Sequence, residues 1–175
     1  MAHWHFRDQA LWRKVLAFLA TVAAVSASPP SIGVASEPPT LAVLDLDYVD
    51  TSGEPSDQTA SHERRSNDFV SALRGDLAAS GKYRIVALTC GAGPCASGGN
   101  AAEIKQAAEA AGVELVAFGA VHKLSTLIEW VKIDVVDERE NRVVLDRLLT
   151  FRGDNDEAWQ RAEGFAARQI LESLR

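Results

Sequence analysis

No stretch of this sequence stays apolar for the roughly 20 residues that a membrane-spanning helix needs. The longest nearly apolar run, residues 15–25, has about 11 residues; it follows the basic pair at 13–14 and precedes small residues at 26–28. A basic flank, a short apolar stretch and a small-residue exit are typical of a secretory signal peptide. We therefore predict a signal peptide at residues 1–27 and a periplasmic or secreted protein, with an uncleaved N-terminal anchor as the alternative.

The sequence also lacks an excess of basic residues. Lysine and arginine together number 18 against 24 acidic residues, which gives a formal net charge of −6. Removal of residues 1–27 would take away more basic than acidic residues and leave the mature chain more acidic still. Nucleic acids and anionic lipid surfaces both require a basic patch on the protein. We predict neither as a partner, and no membrane span in the mature chain.

Cysteine is scarce, and the two cysteines, Cys90 and Cys95, lie close together in a glycine-rich segment. In an oxidising compartment such a pair most simply forms a disulfide. A redox-active pair favours the shorter Cys-x-x-Cys spacing, and a zinc site needs further cysteine or histidine ligands nearby, which the sequence does not provide. We predict a structural disulfide; free thiols and metal or redox chemistry are the alternatives.

Proline, serine and glycine without periodicity fill residues 28–40, a composition that blocks helices and predicts a tether. Residues 41–175 contain no internal repeat, and their number suits one domain with one hydrophobic core.

Apolar periodicity in residues 41–175 predicts an α/β (α+β) fold with the element order β-α-β-α-β-β-β-α. Strands are predicted at about 41–48, 82–88, 113–121, 125–137 and 142–151, and helices at about 61–80, 100–112 and 154–174. Two crossover connections followed by an antiparallel hairpin give a mixed five-stranded sheet with about three helices, most of them on one face. The alternation in the hairpin predicts a polar sheet face that is partly open to solvent.

The sequence also predicts which residues cap the helices and which face of the hairpin is buried. Ser61 and Asn100 are predicted to cap the first two helices, and Asp154 or Asp156 the third. The buried face of the hairpin is predicted to carry Leu127, Val131, Ile133, Val135, Val143, Leu145 and Leu149.

An apolar strand that ends in the pair Asp45 and Asp47 resembles the nucleophile motif of haloacid-dehalogenase-type phosphatases. Asp154, which follows a glycine, resembles the magnesium-binding segment of the same superfamily. However, Tyr48 stands where that superfamily has a glycine, and roles at a strand end and a helix start explain these aspartates better. Asp45, Asp47 and Asp154 are therefore a weak alternative metal or catalytic set. No catalytic residue, metal or cofactor is predicted.

Three residues in and beside the hairpin are predicted to form an interaction surface. Trp130 and Lys132 alternate onto its polar face, and His122 follows a buried strand. An exposed tryptophan can anchor a protein partner. The alternative for Trp130 is packing beneath the tether, and for His122 an ordinary edge position. His62 is predicted to lie in solvent at the start of a helix.

Several segments together resemble a family of small exported proteobacterial proteins of unknown function. They are residues 41–45, 77–83, the cysteine pair, 109–113, 119–128 and, most specifically, 151–159. The resemblance covers about residues 41–174. More distantly, the element order is similar to that of the N-terminal domain of the translocation protein TolB and of curli-secretion lipoproteins. This resemblance implies an interaction or assembly module of the bacterial envelope, without catalysis.

The function expected from these observations is a non-catalytic periplasmic binding or interaction domain whose partner is an envelope protein. The first alternative is binding of a small molecule or an anion at residues 91–99, where a glycine-rich loop enters a helix and backbone N–H groups could hold an anion. A magnesium-dependent phosphatase is a less favoured alternative.

Overall fold

The computed structural model describes residues 37–174, which form one compact unit. The predicted signal peptide at 1–27 and most of the predicted tether at 28–40 lie outside the described residues. The strands are β1 (Thr40–Val43), β2 (Asp47–Asp50), β3 (Arg84–Ile85), β4 (Thr89–Cys90), β5 (Gly93–Pro94), β6 (Leu115–Lys123), β7 (Ile128–Asp137) and β8 (Arg142–Arg152). The helices are α1 (Thr59–Ala79), α2 (Ala101–Ala111) and α3 (Asp156–Ser173).

The main sheet is mixed, as predicted, with the strand order β3-β1-β6-β7-β8. β1 pairs in parallel with both β3 and β6, whereas β6, β7 and β8 form two successive antiparallel pairs. β2 continues the path of β1 along β6, so the predicted first strand is divided into two by residues 44–46. At this division the chain makes an isolated bridge between Asp45 and Ala96. The sheet therefore has six strands rather than the predicted five.

Two of the three helices lie on one face of the sheet, which we call the inner face. Side chains of α1 and α3 form the main hydrophobic core with inward residues of β6, β7 and β8, including Val121, Val131 and Ile133. α2 packs on the other face, where Ala108 joins a smaller core with Val116. α2 covers only the part of that face near β1 and β6.

The helix ends partly follow the predictions. Asn100 caps α2 by accepting hydrogen bonds from the backbone of the first turn, as predicted. For α1 the N-cap is Gln58 rather than Ser61, and its side chain makes no capping bond. The prediction for α3 was also wrong, because Asn155 accepts the bond from the Ala158 backbone. Asp154, one residue earlier, is thereby left for other contacts.

A β-bulge changes which residues of β8 face the core. The register with β7 shifts between Val135 and Val136, and Val144 is the extra residue. Beyond the bulge the alternation is reversed, so Val143 is 52% exposed although it was predicted to be buried. Leu127 was also predicted to be buried, but it lies before β7 begins and is exposed.

The β6–β7 pair is unusually tight at Gly119. A Cβ atom at this position would lie 2.0 Å from the backbone oxygen of Lys132, so no larger residue fits without moving the strand. β8 is the edge strand on this side of the sheet: it pairs with β7 and with no other strand among the described residues.

The smaller, two-stranded sheet formed by β4 and β5 lies in the glycine-rich segment. Cys90 and Cys95 are joined by a disulfide across it, which is the predicted pairing. The predicted strand at 82–88 is reduced to the two residues of β3, since the chain turns toward this disulfide loop soon afterwards.

Candidate functional site

A group of buried and half-buried polar and charged side chains lies at the end of the inner face, and we call it the Lys123 network. Five segments contribute to it: the β2–α1 loop, α1, the end of β6, the start of β7 and the β8–α3 loop. Its members are Glu54, Gln58, His62, Arg65, Lys123, Glu129 and Asp154.

Lys123 is the centre of this network. It follows Gly119 and Val121 on the inward alternation of β6, and its side chain is 0% exposed. Its ammonium donates to Asp154 Oδ2 at 2.6 Å, to Glu54 Oε2 at 2.9 Å and to Gln58 Oε1 at 2.5 Å. Three acceptors use all three of its N–H groups. Burial opposes the charged form, but the bonds to the two carboxylates outweigh it and raise the pKa of Lys123.

Asp154 receives bonds from two further residues of α1. His62 Nε2 lies 2.9 Å from Oδ2, and Arg65 Nη1 lies 2.5 Å from Oδ1. Burial would raise the pKa of Asp154, but the hydrogen bonds from Lys123 and His62 prevail and lower it. Arg65 also bonds to Asp156 at 2.8 Å, which extends the network to the first turn of α3.

Glu129 is the least satisfied member of the network. It is directly opposite Lys123 in the β6–β7 register and is 0% exposed, yet neither of its carboxyl oxygens has a hydrogen-bond partner among the described residues. Burial, together with the nearby negative charge of Asp154, raises the pKa of Glu129 to about 7. The indole N–H of Trp159 is close enough to lower this pKa slightly, but it does not reach hydrogen-bond geometry.

Aromatic rings enclose the network. Tyr48 stacks on His62 with ring centroids 4.4 Å apart, and Trp159 lies beside both rings. The Tyr48 hydroxyl is buried and has no hydrogen-bond partner in the part of the chain that the structure describes, and burial raises its pKa. His62 is only 2% exposed, so the prediction that it lies in solvent was wrong. Apolar walls and paired charges therefore surround the buried imidazole of His62.

The network offers a geometry that a metal ion could use, because one donor atom from each of His62, Glu129 and Asp154 lies within 4.8 Å of the others. However, the Asp154 carboxylate is already paired with two cations, the ammonium of Lys123 and the guanidinium of Arg65. A divalent ion would sit beside these fixed positive charges and be repelled by them. The arrangement is therefore an internally compensated ion network, and we assign no metal to it.

The three aspartates of the phosphatase alternative have different partners. Asp45 pairs with Arg74 at 2.9 Å, whereas Asp154 belongs to the Lys123 network. The Asp47 carboxylate lies against Gly98, where a Cβ atom would be 2.6 Å from its Oδ2. The same contact places a negative charge beside the glycine-rich loop, which does not favour an anion there.

The opposite face of the hairpin is different in character. No described helix covers β7 and β8 on this side, and we call the uncovered area the open face. His122 pairs across the strands with Trp130, their rings edge to face at 4.9 Å, and Lys132 bonds to Asp134 and Asp146. The open face consists of Val49, His122, Trp130, Lys132, Leu148 and Thr150, which occupy two neighbouring register rows across β2, β6, β7 and β8. The structure thus brings the three predicted surface residues together.

Most residues of the Lys123 network were not predicted from the sequence. The signal for Glu129 was present, since it precedes Val131 by two residues and therefore alternates onto the buried face. Lys123 follows Val121 in the same way. No local pattern pointed to Glu54, Gln58 or Arg65, which reach the network from distant parts of the chain.

None of the described helices is both long enough and apolar enough to cross a membrane. No protein with a curated description matches the chain. Among solved structures, it is similar to TolB from Acinetobacter baumannii, with 16% identity and a TM-score of 0.51, over 78% of this chain and 28% of that one. The chain therefore corresponds to about a quarter of that protein, and the likeness concerns the fold.

Two further structures are similar at lower scores. A PelC dodecamer from Paraburkholderia phytofirmans has 14% identity and a TM-score of 0.49, over 77% of this chain and 87% of that one. The C-terminal domain of LpoB from Salmonella enterica has 13% identity and a TM-score of 0.46, over 63% of this chain and 81% of that one.

The family comparison covers nearly the whole described domain. Residues 39–171 match a family described as "Protein of unknown function (DUF2380)". This range contains the segments on which the family resemblance was based, and the TolB-like fold was also predicted correctly. The chain belongs to this family of unknown function.

Proposed function

We propose that this chain is a non-catalytic interaction domain of the bacterial envelope that binds a protein partner through its open face. The observation that carries the proposal is the open face itself. It presents partly exposed aromatic rings, His122 and Trp130, next to Leu148, which is 60% exposed. Aromatic anchors among apolar and charged neighbours are typical of protein interfaces.

The composition of the open face indicates the chemistry of the partner. Val49 is 46% exposed and extends the apolar area on one side of the rings, while Leu148 extends it on the other. Lys132 and its two carboxylate partners form a polar margin. A matching partner surface would contribute an apolar side chain to the space beside Trp130 and hydrogen-bonding groups at the margin.

The absence of catalysis is supported by the Lys123 network. Its strongest acids and bases are bonded to one another, and its central ammonium is fully buried. A general acid or base must reach the substrate within hydrogen-bond distance. The buried charges of the Lys123 network are arranged to hold five segments together rather than to meet a substrate.

Localisation in the envelope rests on separate observations. The basic and apolar pattern of residues 1–27 is that of an export signal, and a disulfide is most stable in an oxidising compartment. The acidic net charge is compatible with a soluble protein that does not bind anionic lipid.

In-cell photocrosslinking tests the proposal. A photoreactive amino acid at Leu148 is expected to capture one dominant envelope protein, and Trp130→Ala and Lys132→Glu are expected to reduce the yield. The matched control is the same amino acid at Lys105, an exposed position on α2 away from the open face. Equal capture from Leu148 and Lys105, or a yield unaffected by both substitutions, would overturn the assignment of the surface.

A further inference from the structure

A second site lies between α1 and α3, on the side of Trp159 away from the sheet. These two helices enclose a cavity of about 240 Å³. Phe69 and Trp159 form its apolar floor; they are 3% and 2% exposed and meet edge to face at 6.4 Å. Ala72 lines the wall, and its small side chain keeps the space open.

One ionisable residue of this cavity forms no ion pair within residues 37–174. Glu163, on α3, lines the cavity and is 6% exposed, and its Oε1 has no hydrogen-bond partner in the same part of the chain. Burial raises the pKa of Glu163 to about 7; Asp76 on α1 raises it further, and Arg168 lowers it. A buried carboxyl group without partners is costly, so a cation that enters this cavity would gain a strong acceptor.

The remaining charges at the cavity do not supply that cation. Arg64 and Arg65 lie at one end and both are bonded to Asp156; Arg65 is also paired with Asp154, so neither guanidinium is free for Glu163. Asp68 stands at the rim, 70% exposed, with only a 3.5 Å contact to Arg64. The uncompensated charge at the cavity is therefore negative.

We propose that the cavity between α1 and α3 binds an alkylammonium group, with the ammonium on the Glu163 carboxylate and the alkyl chain against Phe69 and Trp159. The volume suits a short chain rather than a large ligand. The same chemistry is found in a free primary amine and in the side chain of a partner's lysine. The proposal is independent of the open face, which lies on the other side of the sheet.

The test is a titration of the purified protein with n-butylammonium chloride at pH 8, followed by the indole N–H resonance of Trp159. We expect a saturable shift with a dissociation constant on the order of 1 mM, as befits so small a ligand. 1-Butanol has the same chain without the charge and is expected to give no saturable shift. Glu163→Gln is expected to weaken binding at least about tenfold, since it removes a charge-assisted hydrogen bond.

Glu172→Gln is the matched control, because it makes the same change at an exposed position of α3 outside the cavity. It should bind butylammonium like the unmodified protein. Circular dichroism would verify that Glu163→Gln is folded, which we expect since the change removes a buried charge. A shift that does not saturate, or that is equal with butanol or in Glu163→Gln, would overturn the proposal.

A second ligand distinguishes the source of the ammonium. Nα-acetyl-lysine methylamide carries the same group within a peptide unit. If it binds more tightly than butylammonium, the cavity receives a lysine of a partner protein; if butylammonium binds equally or better, it receives a free amine. Either result supports the site, and neither depends on crosslinking through Leu148.

Discussion

Each face of the β6–β7 hairpin carries a lysine that is paired with two carboxylates, but the two lysines differ in burial. On the inner face, Lys123 is 0% exposed and bonds to two carboxylates and an amide. On the open face, Lys132 also bonds to two carboxylates, but its side chain is 30% exposed. Water can replace the partners of Lys132 and cannot replace those of Lys123. The comparison shows that burial, more than the number of ion pairs, decides what a lysine contributes to stability.

The largest effect is expected from Lys123→Met. The substitution removes a fully buried ammonium to which two half-buried carboxylates, Asp154 and Glu54, are bonded, so the free energy of unfolding should fall by about 3–5 kcal/mol. Urea unfolding followed by circular dichroism measures this change. A loss no greater than that of Lys132→Met would contradict the distinction between the two faces.

A smaller, pH-dependent effect is expected from Glu129→Gln. The pKa of Glu129 is raised to about 7 from an ordinary value of 4.5, so between these pH values the folded protein holds a proton that the unfolded chain releases. Stability of the unmodified protein must then fall as pH rises through this window. The advantage of the glutamine variant should therefore grow from pH 4.5 to pH 7, reaching about 3 kcal/mol.

Urea unfolding at pH 4.5 and pH 8 would measure this difference, with Glu172→Gln as an exposed control on α3. Glu163 also has a raised pKa and contributes its own slope, so the difference between variant and parent isolates Glu129. A constant difference at both pH values would mean that Glu129 is solvated in the folded protein.

The disulfide lies beside α2, in the smaller core on the face of the sheet opposite the inner face, and it allows a third region to be compared. Cys90→Ser should lower the free energy of unfolding by about 2 kcal/mol, because it releases a short loop in the unfolded chain. Reduction of the unmodified protein should produce a similar loss. If the variant and the oxidised parent were equally stable, the loop would be held by packing alone.

The smallest effect is expected from Lys132→Met on the open face. Exposed ion pairs contribute less than about 1 kcal/mol, and the salt dependence of stability should decrease slightly. Thermal unfolding at low and high salt would detect this. A loss of several kcal/mol would show that the open face is part of the structural core.

The hairpin shows how far sequence patterns reach. Alternation correctly placed Val131, Ile133 and Val135 inside and Lys132 outside, because each strand residue's face is fixed by its neighbours. Val143 was misplaced since a single bulge residue reverses that alternation, and nothing local distinguishes a bulge from a regular strand.

The Lys123 network could not be predicted in the same way. Lys123 meets Glu54 across 69 residues of sequence, and His62 meets Asp154 across 92. Such pairings depend on how α1 and α3 are placed on the sheet, which periodicity does not specify. The segment 151–159 was recognised as the most specific of the family. The structure explains what residues of this segment do: Asp154 bonds to Lys123, Asn155 caps α3 and Trp159 packs beside His62.

The outer edge of β8 has a consequence for behaviour at high concentration. Among the described residues, this 11-residue strand has no neighbour at its outer edge, and such an edge ordinarily allows a second copy to add to the sheet, the first step toward aggregation. Here the bulge at Val144 twists that edge, and Arg142, Asp146, Arg147 and Arg152 place charges along it. Such features are protective in natural sheets. The charged and twisted edge of β8 thus discourages association with other copies of the chain.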